Sequence, residues 1–175
     1  GYSAGKKIST GIGSTIVGHC AAPNATTACC IVAIGHNSLG SLTSGNFNTA
    51  VGTNANYNAT TAEYNTAIGF NAMCAGSSGT RNTAVGALAM PNVTTGQCNV
   101  AMSVNSLECL TSGCYNTAIG YHALNKTATS NSNTSLGFKA GCKNTASSQT
   151  SIGAGALEMS TSGGCNTAVG VESLY

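Results

Sequence analysis

A fixed period of seventeen residues governs this chain. The phrase Asn116-Thr117-Ala118-Ile119-Gly120 recurs with little change at Asn48 to Gly52, Asn65 to Gly69, Asn82 to Gly86 and Asn166 to Gly170. Looser copies stand at Ser14 to Gly18, Ile31 to Gly35, Asn99 to Ser103, Asn133 to Gly137 and Gln149 to Gly153. The last residue of each copy is a ruler: Gly1, Gly18, Gly35, Gly52, Gly69, Gly86, Ser103, Gly120, Gly137, Gly153 and Gly170. Every step is 17 residues except the 16 between Gly137 and Gly153. Self-similarity of this kind marks an array in which each repeat packs on its neighbours.

Counting from the ruler as position zero, position −1 is always Val, Ile, Leu or Met, and position −2 is Ala or Ser except at Ile16. Position +3 is always small, from Ala4 to Ser173, and position +4 is mostly Leu or Met. A polar stretch follows, as at Thr43-Ser44-Gly45. Two apolar pieces this short, separated by Gly, are too brief for helices and suit strands. The period predicts an all-β fold: a parallel β-solenoid (β-roll) of about ten coils of 17 residues with two short strands per coil. The −1 aliphatics are expected to form a buried column, and the Asn copies a ladder of amides. Residues 1–175 form a single uncapped array, a rod of roughly 48 Å at the usual strand spacing.

The phrase Asn116-Thr117-Ala118-Ile119-Gly120, with two free residues and then Ala123-Leu124, resembles the head repeats of YadA-type trimeric autotransporter adhesins. It resembles still more the related repeats of bacterial and viral surface or tail-fibre proteins. The resemblance covers nearly the whole chain. It implies a left-handed parallel β-roll displayed on an outer surface, often as a trimer.

Composition excludes several classes. Only ten residues are charged, none of them Asp, and the six basic ones are scattered. That leaves no footprint for nucleic acid or an anionic membrane. No apolar run approaches the ~20 residues of a membrane span, so membrane insertion is not expected. No signal peptide is visible and the chain starts at Gly, as a mature or trimmed product would. Without Asp there is no Ser-His-Asp triad, and Glu63, Glu108, Glu158 and Glu172 are dispersed in the repeat. His19 and His36 share one offset and read as packing residues. No catalytic centre, metal or cofactor is expected, so the chain does not read as an enzyme.

Nine cysteines in a chain of this length suit an oxidising compartment. Cys74 and Cys142 stand five after a ruler residue, and Cys98 and Cys165 twelve after the next. Bridges Cys74–Cys98 and Cys142–Cys165 between coils are therefore expected, with Cys109–Cys114 inside one turn. Of Cys20, Cys29 and Cys30, one pairs locally and one is left over. The alternative is buried free thiols. Five Asn-x-Ser/Thr sequons occur, at Asn24, Asn58, Asn92, Asn125 and Asn133. Asn24, Asn58 and Asn92 share offset +6 in every second turn, and Asn125 comes one residue early, which predicts a glycan-bearing edge at these four. Asn133 lies inside the strand phrase and is expected to be unmodified. The alternative is that these Asn serve only as turn formers.

The repeat is already running at Gly1 and still running at Tyr175, which predicts either a fragment of a longer array or ends that stack on other copies. The functional expectation is a structural subunit of an extracellular, N-glycosylated and disulfide-stapled filament, assembled end to end at a cell or virion surface. Its partners are copies of itself and N-linked glycans. The alternative is a trimeric surface adhesin or receptor-binding fibre head. A polysaccharide-acting enzyme would need a carboxylate cluster that the sequence does not offer.

Overall fold

A computed structural model describes residues 1–175. Ten three-residue strands form one parallel sheet in sequence order. They are β1 (Thr15–Val17), β2 (Val32–Ile34), β3 (Thr49–Val51), β4 (Thr66–Ile68) and β5 (Thr83–Val85), then β6 (Val100–Met102), β7 (Thr117–Ile119), β8 (Thr134–Leu136), β9 (Thr150–Ile152) and β10 (Thr167–Val169). Equal repeat positions stand opposite one another throughout, as in Ala50↔Ala67 and Ala67↔Ala84. The register holds even across the short step, where Thr134 faces Thr150. The chain is a β-solenoid, and no helix in it is long and apolar enough to cross a membrane.

Each coil carries one strand, not two. The second apolar piece, positions +3 and +4, is a run of turns, and the reason lies in its backbone. Non-glycine residues at +2, +4 and +12 hold positive φ in coil after coil, for example Asn71 (52°), Met73 (53°) and Tyr64 (58°). The left-handed region is closed to β-branched side chains and open to Asn at modest cost. Accordingly no Val, Ile or Thr occupies any of these three positions, and Asn holds +2 at Asn37, Asn54, Asn71 and Asn105. The turns also do much of the joining. Of 106 backbone hydrogen bonds only 18 lie within the strands. Many of the others run from coil to coil at the corners, such as Leu39 N–H to Ala55 O (3.0 Å) and Thr43 N–H to Thr60 O (3.0 Å).

The interior is narrow, and this reverses the expected facing of the strand. Position −2 points inward, so Ala50, Ala67, Ala84, Ala101 and Ala118 are fully buried. The aliphatics at −1 point outward: Ile68 is 38 % exposed and Leu136 46 %. The expected buried column is therefore an exposed one. The inward space opposite the strand is filled from +4 and +7, where Leu39, Leu42, Met90, Val93, Leu107 and Leu110 are buried. One continuous core runs from Ala21 to Leu124, and a small second one holds Ala156, Leu157 and Ala168. Between them lies a polar coil. There Gly141 and Asn144 take the +4 and +7 places, and the Ser135 and Ser151 hydroxyls bond to each other in place of the usual Ala pair. This is also the coil that is one residue short.

The Asn column at +13 forms the expected ladder. In Asn82, Asn99, Asn116 and Asn133 each Oδ1 accepts the next coil's backbone N–H, as in Asn99 N–H to Asn82 Oδ1 (2.9 Å). Each Nδ2 of Asn99, Asn116 and Asn133 also donates to the preceding amide oxygen at 3.0–3.1 Å. The amides of Asn82, Asn99 and Asn116 further bond the next coil's +10 carbonyl, for example Asn99 Nδ2 to Gly113 O (2.8 Å). All four side chains are fully buried, and the ladder meets hydrogen-bonding demand that an apolar residue could not.

Asn56 is the exception. It occupies the +4 core place of Leu39 and Met73, is fully buried, and neither amide atom has a partner. An unsatisfied buried polar group costs about 1–3 kcal/mol. Asn56→Leu is therefore expected to stabilise the rod by about that amount. A raised midpoint in chemical denaturation checks it, and an unchanged or lowered midpoint would count against this reading of the core.

Candidate functional site

No pocket indents the surface, and in-register stacking lines it with outward columns. Four can be followed along the rod.

The first is the strand face. Position −3 is Thr in eight of ten strands, position −1 is aliphatic in all ten, and the +1 column lies just past the ruler. At +1, Tyr2, His19 and His36 stack ring on ring, at 5.5 and 5.2 Å between centroids, and Tyr121 stacks on Phe138 at 5.8 Å. His19 and His36 thus pack, as the sequence suggests, but in a surface column. The ruler between −1 and +1 is bare except at Ser103. A Cβ on Gly69 would lie 2.5 Å from the Gly86 carbonyl oxygen of the next coil.

A hydroxyl column at +8 is the second. Thr26, Thr43, Thr60, Ser77, Thr94 and Thr111 each donate a side-chain hydrogen bond to the +8 carbonyl of the next coil, at 3.0–3.2 Å. That locks the hydroxyls into one repeated geometry. Beside it the +12 column stacks Phe47 on Tyr64 at 5.0 Å, with the Arg81 guanidinium 5.6 Å from the Tyr64 ring centre.

The sequons lie on the third column, around +5 and +6. Asn58 and Asn92 are exposed. Asn24 is half-buried, accepting from Lys7 Nζ (2.8 Å) and donating to Gly40 O (2.9 Å). Asn125 departs from the expected edge. It is 2 % exposed, and its amide nitrogen lies 2.6 Å from Glu108 Oε2, 2.8 Å from His122 Nδ1 and 3.2 Å from Asn105 O. A nitrogen so enclosed has no room for a glycan. One residue of offset turns the side chain from the outer edge into the turn. Asn133, fully buried in the ladder, is likewise closed. The Glu108–Asn125–His122 network was not visible in the sequence, since its members sit at +5, +5 and +2 of two coils.

The nine thiols make up the last group. All are free, and no pair is bonded. In-register stacking explains the contacts they make, because each offset sits over itself. Cys74 at +5 donates to the +5 carbonyl of Pro91 (3.5 Å). Lys126 Nζ reaches Cys109 Sγ (3.9 Å), both at +6. Cys114 at +11 accepts from Gln97 N–H (3.4 Å), also at +11. The expected partners Cys98 and Cys165 stand in the separate +12 column, beyond the buried +7 and +10 positions. Bridges between +5 and +12 do not follow from this stacking, nor does Cys109–Cys114. Burial pushes the Cys74 and Cys142 thiols above their ordinary value, with Glu158 adding to it at Cys142. A hydrogen bond that the Cys29 thiol gives to the neighbouring Cys30 sulfur does the same for Cys29. Cys20 meets only the His19 ring, at 4.0 Å. Among His, Cys and Glu no group of three is placed to hold a metal.

No protein-family model, curated protein or solved structure matches the chain.

Proposed function

We propose that the chain is a structural subunit of an extracellular, N-glycosylated filament, built by rods stacking end on end. The observation that carries this reading is the exact repetition of register over ten strands, with β1 and β10 each paired on one side only. A strand edge of this kind is a template for another strand. Because every coil offers the same donors and acceptors, the edge at β10 can be continued by the first coil of another copy, or by further coils of a longer chain. Head-to-tail contact of this sort does not close, so it generates fibres. Cohesion within the rod comes from the backbone bonds and the Asn ladder rather than from staples.

Electron microscopy of the purified chain over a range of concentrations tests it. Filaments of constant width whose length grows with concentration are expected. Isolated rods of roughly 48 Å at every concentration would end the proposal. A second reading, the trimeric adhesin or receptor-binding fibre head, draws support from the exposed aliphatic column, which favours packing of copies side by side. Discrete particles in the same images would favour it.

The glycan edge makes a narrower prediction. Secreted from a eukaryotic host, the chain should carry glycan at Asn58 and Asn92, less at Asn24, and none at Asn125 or Asn133. Glycopeptide mapping reads this directly, and occupancy at Asn125 would contradict the enclosed amide.

A further inference from the structure

Two hydroxyl columns run side by side along the rod, and the fold uses only one of them. At +8 the side chains of Thr43, Thr60 and Ser77 are each tied to a carbonyl of the next coil. At +9, Ser or Thr stands in nine of the ten coils, five Thr and four Ser from Thr10 to Ser162. Ala146, in the short coil, is the exception. All nine are exposed, and none of their hydroxyls bonds to the chain. What the coil takes from +9 is backbone: Ser78 N–H donates to Thr94 O at 3.1 Å, and Thr95 N–H to Thr111 O at 3.2 Å. Any residue but proline can do this, and none of the nine holds a positive φ. Ser and Thr favour bends when the side chain bonds the backbone, and here it does not. Other outward columns vary freely. Position +6 takes Lys, Asn, Ser, Ala, Cys and Met, and +1 ranges from Tyr2 and His19 to Ala87 and Val104. The hydroxyl at +9 is thus kept through nine repeats for something outside the coil.

We propose that the +9 hydroxyls are attachment sites for O-linked sugar. In the transfer, Oγ attacks the anomeric carbon of a nucleotide-activated sugar and forms the new O–C bond. The bond from that carbon to phosphate breaks, the nucleoside diphosphate leaves, and the hydroxyl proton passes to the transferase. Access fits this reaction. Each +9 side chain is followed by a small residue at +10, as in Thr60-Thr61-Ala62 and Thr94-Thr95-Gly96, and no charged residue stands between +7 and +10 in any coil. The mixture of Ser and Thr decides between occupants. A surface that read the methyl group would hold Thr alone, whereas a sugar acceptor needs only the hydroxyl. Phosphate fits less well, because doubly charged groups about 4.8 Å apart with no cation among them would repel along the whole column. A neutral sugar adds no such repulsion. The inference rests on the extracellular reading above, since the transfer needs passage through a compartment that holds the transferase. It adds a second glycan edge, three positions along the coil from the sequons.

The test is site mapping by electron-transfer fragmentation on the full chain secreted from a eukaryotic host, after enzymatic removal of N-glycans. Three coils carry Thr at both +8 and +9, so each pair is its own control. Sugar is expected on Thr27, Thr61 and Thr95 and absent from Thr26, Thr60 and Thr94, whose hydroxyls are held. Equal occupancy within the pairs overturns the proposal, as do bare +9 hydroxyls on a chain whose Asn58 and Asn92 carry glycan. Phosphate in place of sugar overturns it as well. A chain bare at +9 and at both sequons sinks the secreted reading together with this one, and sugar at +9 on chains that never form filaments sinks stacking alone. The quadruple substitution Ser44→Ala, Thr61→Ala, Ser78→Ala and Thr95→Ala, made in unglycosylated protein, tests the premise without a transferase. Its denaturation midpoint is expected to match the wild type. A marked drop would give these hydroxyls a structural task and overturn the inference.

Discussion

Truncating Asn99 to alanine is expected to cost about 3–5 kcal/mol, among the largest effects of any single substitution in the chain. The side chain is fully buried and holds two backbone groups of the next coil. Its Nδ2 donates to Gly113 O at 2.8 Å, and its Oδ1 accepts Asn116 N–H at 2.9 Å. Alanine leaves both without their side-chain partner in the buried interior, and each orphan costs about 1–3 kcal/mol. Neighbouring amides lose their links as well, since Asn99 Nδ2 also meets Asn82 Oδ1 and Asn116 Nδ2 meets Asn99 Oδ1. Denaturant titration of the purified variant measures the loss. A change below about 1 kcal/mol would mean that the backbone alone holds the corner.

The second large effect concerns the ruler. Gly18 to Gly170 hold φ between 126° and 136°, a region that L side chains rarely adopt. Gly69→Ala places a methyl carbon 2.5 Å from the Gly86 oxygen and 2.6 Å from its carbon. Neither backbone atom can yield without moving the next coil, so a loss of about 3 kcal/mol or more is expected. The chain contains its own counter-experiment. Ser103 is the one ruler residue with a side chain, and its φ is 115°, displaced from every glycine in the column. Ser103→Gly removes that strain and no side-chain hydrogen bond of its own, and should raise stability by about 1–3 kcal/mol. Opposite signs at equivalent positions make the pair diagnostic. Equal signs would mean that the close approach of coils at this column does not limit stability.

Much of this architecture could be read from residue types alone. The seventeen-residue step predicts the pairing Thr15↔Val32 and its copies, and the Asn phrase predicts the buried amides. Two features stayed hidden for identifiable reasons. Large apolar groups are usually the buried ones, which suggested Ile68 inside. Where Leu or Met at +4 fills the interior, the strand side holds only Ala67 and its copies, and Ile68 turns to the surface; Ile16 packs inward where +4 is Gly5 or Ala22. The second piece, Ala72-Met73, read as a strand because hydrophobicity does not report φ. The absence of any β-branched residue at +2, +4 and +12 was the available sign that these places are left-handed. The cysteine offsets misled for a related cause: similar spacing in two repeats implies equivalence, and equivalence puts residues in columns rather than across them. For Asn125, the one-residue slip from Asn24, Asn58 and Asn92 was visible, but not that it would enclose the amide.

The short polar coil between Gly137 and Gly153 carries a consequence for how the rod comes apart. Coils couple only to their neighbours, so cooperativity must pass through that coil to reach from one end to the other. There the aliphatic interior is interrupted by Gly141, Asn144, Ser135 and Ser151, so apolar contact between the two core clusters is broken at the junction. Melting should therefore proceed in two blocks. The segment after Gly153 would open first and exchange its amide protons early, while the stretch from Ala21 to Leu124 stays closed. A protease would cut at this seam long before the remainder lets go.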